Sequence, residues 1–93
     1  MRPLGVVVKI TRSRNFLVKV TGEVRGDPKD LKVVTEEMEF VGVIRDIIGR
    51  VKSPYALVKI VIPLDKASEL VGAKLYVLSP SEEKLVLRPP KNV

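Results

Sequence analysis

The sequence predicts an all-β protein: a small closed antiparallel six-stranded β-barrel with short loops and at most one helical turn or two. Three observations predict it. Short Val- and Ile-rich runs recur along the 93-residue chain with a period of two. Only residues 63–72 lose that period. Gly, Pro and Asp break the chain at close spacing and leave no room for a long helix. Closure follows from the same composition, because a Val-rich chain this short cannot leave long strand edges open.

The elements follow in order. Leu4 to Ile10 is a first strand, with Val6, Val8 and Ile10 on one face and Val7 and Lys9 on the other. Lys9 interrupts its apolar run and no small-residue cleavage site follows, so it reads as a strand rather than a signal peptide. The polar turn TRSRN, residues 11–15, joins it to Phe16–Val20, where Phe16, Val18 and Val20 point inward and Lys19 outward. Thr21 to Asp30 is a loop holding Gly22, Gly26, Asp27 and Pro28. Leu31 to Thr35 is a short strand or an extended lead-in to the centre of the chain.

That centre is Glu39 to Ile62, two strands and their connection around Gly49 and Pro54. Alternation groups Phe40, Gly42, Ile44, Asp46 and Ile48 on one face, and Val41, Val43, Arg45 and Ile47 on the other. In the second strand Ala56, Val58, Ile60 and Ile62 face inward, while Tyr55, Leu57 and Val61 face outward beside Lys59. Residues 63–72 allow one helical turn, with Asp65 as its cap and Gly72 as its stop. Ala73–Leu78 and Lys84–Arg88 are further strands. Residues 1–88 read as one domain and 89–93 as a fraying tail.

The chain has no Cys and no His, which removes disulfides, thiolate zinc sites and the commonest general base. No apolar run approaches the length of a membrane span. The net charge is +6, and residues 1–35 hold 8 basic and 3 acidic groups. That basic third suits either contact with nucleic acid or simple solubility. The serines have no histidine to pair with, a Ser–Lys arrangement cannot be built from spacing alone, and no glycine pattern forms a phosphate loop. Glu36, Glu37 and Glu39 read as a solvated acidic edge rather than a metal site. Asp46 reads as a structural carboxylate accepting backbone N–H groups in the Gly49–Pro54 connection. A catalytic role would need a second acid or base beside it. No cofactor is expected.

One small barrel has one core, so the second apolar face of the central stretch needs a partner. The outward set is Tyr55 and Leu57 with Val43 or Ile47, Pro54 shapes the approach, and Arg45, Lys52 and Lys59 form a polar rim. The alternative is direct RNA contact through Arg12, Arg14, Lys19 and Lys52, as in a barrel of the OB or translation-factor type.

The run FVGVIRDIIGRVKSPYALVKI resembles the core signature of the Gar/Naf family, the small barrel subunit of box H/ACA ribonucleoproteins. Gly42, Asp46, Gly49, Val51, Pro54 and Tyr55 fall on the family pattern at its spacing. Leu4–Gly5 and Val71–Gly72, followed by Leu75–Tyr76–Val77, flank it in order, so the resemblance spans about residues 3–78. Ile48 and Arg50 stand where the family commonly has Phe and Pro. Eukaryotic members carry Gly/Arg-rich tails that this sequence lacks, so it is similar to the archaeal members.

The resemblance implies a non-catalytic, intracellular subunit without cofactor. It implies binding to the pseudouridine synthase catalytic subunit, with guide RNA engaged only through the complex, and help in loading and releasing substrate RNA during rRNA modification. Within it, Gly42, Asp46, Gly49, Val51 and Gly72 are expected to serve the fold. An assembly factor of the same complex is the neighbouring possibility, although that branch usually carries long extensions.

Overall fold

A computed structural model describes residues 1–22 and 27–79. Six strands close into an antiparallel barrel: β1 (Arg2–Ile10), β2 (Asn15–Val20), β3 (Lys32–Val34), β4 (Phe40–Arg50), β5 (Ser53–Ile60) and β6 (Lys74–Val77). Their order around the barrel is β1-β2-β5-β4-β3-β6. The predicted fold class is therefore the observed one. The predicted strand Lys84–Arg88 and the tail at 89–93 lie outside the described residues. Closure does not need them, since β6 pairs with both β1 and β3.

Leu4, Val7, Phe16, Val18, Val41, Ile44, Ala56, Val58 and Leu75 fill the core. One helix, α1 (Leu64–Ser68), sits in the connection between β5 and β6 and puts Ala67 into that core. Its N-cap is Pro63, not Asp65; Asp65 lies inside the first turn, where an acid favours the positive end of the helix. Gly72 follows with φ +89° and donates its N–H to Val7 O at 2.8 Å, which turns the chain into β6.

Strict alternation fails where strands carry an extra residue. In β1 the register against β2 shifts between Val7 and Lys9, so Val8 is a bulge. Val7 is 2% exposed and Val8 46%, so Val8 parts from Ile10, which packs against the core, and Val7 from exposed Lys9, against the expected grouping. β4 shifts twice. Val41 is extra against β3, which buries Val41 beside Gly42, and Arg45 is extra against β5. Beyond Arg45 every side chain changes face. Ile47 lies opposite Ala56 and packs against the core, while Asp46 and Ile48 lie opposite Leu57 and Tyr55 on the outside. The expected grouping of Asp46 and Ile48 with Ile44 is thus overturned, as is the grouping of Ile47 with Val43.

The glycines of the central run are explained by contact and by conformation. A Cβ at Gly42 would collide with the Lys59 carbonyl oxygen and lie 2.6 Å from Val58 Cγ1. Only glycine lets β4 lie this close to β5. Gly49 has φ +91°, and a Cβ placed there would be 3.6 Å from Tyr55 Cδ1, so the tyrosine ring lies beside the bare glycine.

Alternating strand directions bring the ends of β1, β3 and β5 to one end of the barrel. The loops 11–15 and 35–39 sit there and share one geometry. Thr11 N–H donates to Asn15 O at 2.8 Å, and Asn15 N–H donates to Thr11 Oγ1 at 3.2 Å. Thr35 N–H donates to Glu39 O at 2.9 Å, and Glu39 N–H donates to Thr35 Oγ1 at 3.2 Å. The fourth residue of each loop is left-handed, Arg14 at φ 61° and Met38 at φ 68°.

Two substitutions test this packing. Gly42→Ala should cost about 2 kcal/mol by overpacking, and Val58→Ala a similar amount by leaving a cavity. Urea denaturation of both variants measures it, and a wild-type midpoint for Gly42→Ala would refute the close approach.

Candidate functional site

Cross-strand pairing arranges the outer surface of β2, β5 and β4 in rows, because residues directly opposite on neighbouring strands point to the same side. One row runs Lys9, Leu17, Leu57, Asp46. The next runs Val6, Lys19, Tyr55, Ile48. A third runs Asn15, Lys59, Val43, Lys32. Leu17, Leu57, Tyr55 and Val43 are half-buried and Ile48 is exposed, so they form a continuous apolar centre. Exposed Lys9, Lys19, Lys59 and Arg45 surround it, together with Asp46. This is the composition of a protein interface, an apolar middle within a charged border.

The residues predicted for this interface divide between two sides of the β4–β5 hairpin. Tyr55, Leu57 and Val43 lie on the outer face, with Arg45 and Lys59 beside them. Ile47, Lys52 and Pro54 lie on the opposite side. There they line an open cleft of about 550 Å³ with Val20, Thr21, Gly22, Pro28 and Val51. The Arg45 bulge is the reason for Ile47, and parity with Ala56 is the reason for Pro54. Leu17 and Ile48 belong to the outer face and were not assigned to it from the sequence. Leu17 was legible there, since inward Phe16 and Val18 leave it no other side. Ile48 was not, because its face depends on the bulge.

The hairpin itself reaches beyond its neighbours. β3 and its lead-in bond to β4 no further than Ile44, whose N–H donates to Leu31 O at 3.0 Å. β2 pairs with β5 no further than Tyr55. Among the described residues, 46–50 therefore pair in the sheet only with β5, and 53–54 only with β4. At the tip Val51 is 97% exposed, so its expected role in the fold is overturned: it packs against nothing. Asp46 Oδ1 accepts the Ile47 N–H at 2.8 Å, occupying a backbone donor next to the bulge. Asp46 thus accepts a backbone N–H, but from its neighbour Ile47 and not from the Gly49–Pro54 connection as expected, and its carboxylate is exposed.

Arg12 and Arg14 share one exposed loop, whereas Lys19 lies about 16 Å further along β2 by strand rise and borders the apolar centre. The three predicted RNA contacts do not form one group. Among the described residues no cluster of acidic side chains has the arrangement to hold a metal ion. None of the described helices is long and apolar enough to cross a membrane. No family model and no curated protein matches the chain.

Asp46 and Val51 supply a prediction. Asp46→Ala should cost no more than about 1 kcal/mol, the worth of an exposed hydrogen bond. Val51→Ser should change stability by less than about 0.5 kcal/mol, as for an unpacked surface residue. Thermal and urea melts decide both, and a severe loss from either would place that side chain in a packed environment.

Proposed function

We propose that the chain is a non-catalytic accessory subunit of an archaeal box H/ACA ribonucleoprotein. It binds the pseudouridine synthase catalytic subunit through the outer face of β2, β5 and β4, and it assists substrate RNA loading and release in rRNA modification. The observation that carries this reading is the agreement between motif and hairpin. Gly42, Asp46, Gly49, Pro54 and Tyr55, residues that resemble the Gar/Naf signature, all lie in the β4–β5 hairpin, and Gly42 and Gly49 meet its steric and conformational demands. Gly42 admits β5, Asp46 accepts the Ile47 N–H next to the bulge, and Gly49 turns left-handed opposite Pro54 beside the Tyr55 ring. Val51 is the exception, and its exposure suits a contact with another molecule.

The outer face supports a protein partner rather than a direct reader of RNA. Its centre is aliphatic, with one aromatic ring, and no pair of adjacent rings offers stacking platforms for bases. Guide RNA is then reached through the complex. The paired arginines Arg12 and Arg14 favour the second reading, a barrel that binds RNA by itself, because two exposed guanidinium groups on one loop suit phosphate. An assembly-factor role in the same complex uses the same face and differs in when the partner is bound.

Titration calorimetry with the synthase subunit tests the proposal. Tyr55→Ala should weaken binding more than tenfold, as an aromatic anchor near the centre of an interface does. Its melting temperature should fall less than that of Val58→Ala, whose side chain is wholly in the core. No measurable binding by the wild-type chain would overturn the reading. Gel shifts on the isolated protein separate the rival: tight, sequence-selective RNA binding at physiological salt belongs to the RNA-binding barrel, and weak salt-sensitive binding to the accessory subunit.

A further inference from the structure

The loops 11–15 and 35–39 are one backbone design carrying opposite charge. The first is TRSRN and the second TEEME. Arg12, Arg14, Glu36, Glu37 and Glu39 are all exposed. Both loops stand at the same end of the barrel. In the closed order, β5 separates the two hairpins on one side and β6 on the other, so the loops are diametrically opposed. Between them lie α1 and its flanking segments. These segments expose Leu64 and Val71, beside the charged Asp65, Lys66 and Glu69. Apolar side chains thus stand between a basic corner and an acidic corner, and no described element covers them.

We propose that this end of the barrel is a self-docking surface on which a second copy of the chain sits end to end. The symmetry of the charges selects that occupant. A two-fold axis perpendicular both to the barrel axis and to the line joining the loops carries each basic loop onto the partner's acidic loop. One operation makes two equal contacts and brings the apolar centres together, which is the self-complementary pattern of a two-fold dimer. Any other partner would need both charges, at the same separation and on either side of an apolar patch. RNA fits poorly, because the acidic corner repels phosphate. The outer face of β2, β5 and β4 lies on the side wall and stays open in this dimer, so the inference does not rest on the function proposed above.

Sedimentation equilibrium of the whole chain is the test, with two charge-reversed variants, Arg12→Glu/Arg14→Glu and Glu36→Lys/Glu37→Lys. The wild type should form a concentration-dependent dimer that weakens as salt rises. Each variant alone should be monomeric, because both of its corners then carry one sign. An equimolar mixture should dimerise again, since each variant supplies the charge the other lacks. The arginine reversal also lowers the +6 net charge by four. General repulsion therefore decreases, and loss of the dimer in that variant reports on the loop. All four side chains are exposed, so circular dichroism should show both variants folded. A wild type monomeric up to about a millimolar, a dimer indifferent to either reversal, or a mixture that stays monomeric would overturn the proposal. So would an RNA complex that depends on Arg12 and Arg14 in a protein that never dimerises.

Discussion

The close approach of β4 to β5 at Gly42 is the constraint on which the rest of the barrel depends. Six short strands enclose a core only if the sheet coils sharply, and a sheet coils where a strand carries an extra residue or lacks a side chain. β4 has both devices within five residues: the bulge at Val41, the bare Gly42 and the bulge at Arg45. The first lets Val41 and Gly42 both face inward. The last turns Ile47 into the barrel and Asp46 out of it. β1 repeats the device at Val8, so that Val7 and Ile10 both reach the core. Without these insertions the inward faces of β1 and β4 would not follow the curve they line.

The same insertions explain how much of the fold could be read from the sequence. Strand positions, the brief helix and the six-stranded closure follow from runs of β-branched residues and from breaks at Gly and Pro, which are local signals. The inward faces of β2 and β5 were also legible, because neither strand slips in its mutual register and Phe16, Val18, Ala56 and Val58 keep a strict period. The faces of β1 and β4 were not. A bulge leaves no residue-type signature when the extra residue is Val8, Val41 or Arg45, and each slip sends every later side chain to the opposite side.

The candidate site was legible in proportion. Tyr55 and Leu57 come from the unslipped strand and were placed correctly. Ile47 and Ile48 follow the Arg45 bulge, and their places were exchanged. Leu17 joins the patch through its pairing with Leu57, a relation between strands forty residues apart that no local pattern carries. The motif residues divide in a related way. Gly42 and Gly49 answer steric demands inside the hairpin, so their presence speaks first for a backbone shape. The proposed partner face draws instead on residues such as Leu17, Tyr55 and Leu57, which stand on neighbouring strands.

The seam between β1 and β6 has a consequence for how the chain reaches its native state. Residues 2–6 pair with residues 74–77, the most distant pairing among the described strands. The hairpins β1–β2 and β4–β5 zip from nearby turns, but this seam must wait for nearly the whole domain. During synthesis the amino-terminal strand is made first. One of its edges stays open until β6 has emerged. Domains built on such long-range pairing fold slowly, and the closing of this barrel is the slow event its topology imposes.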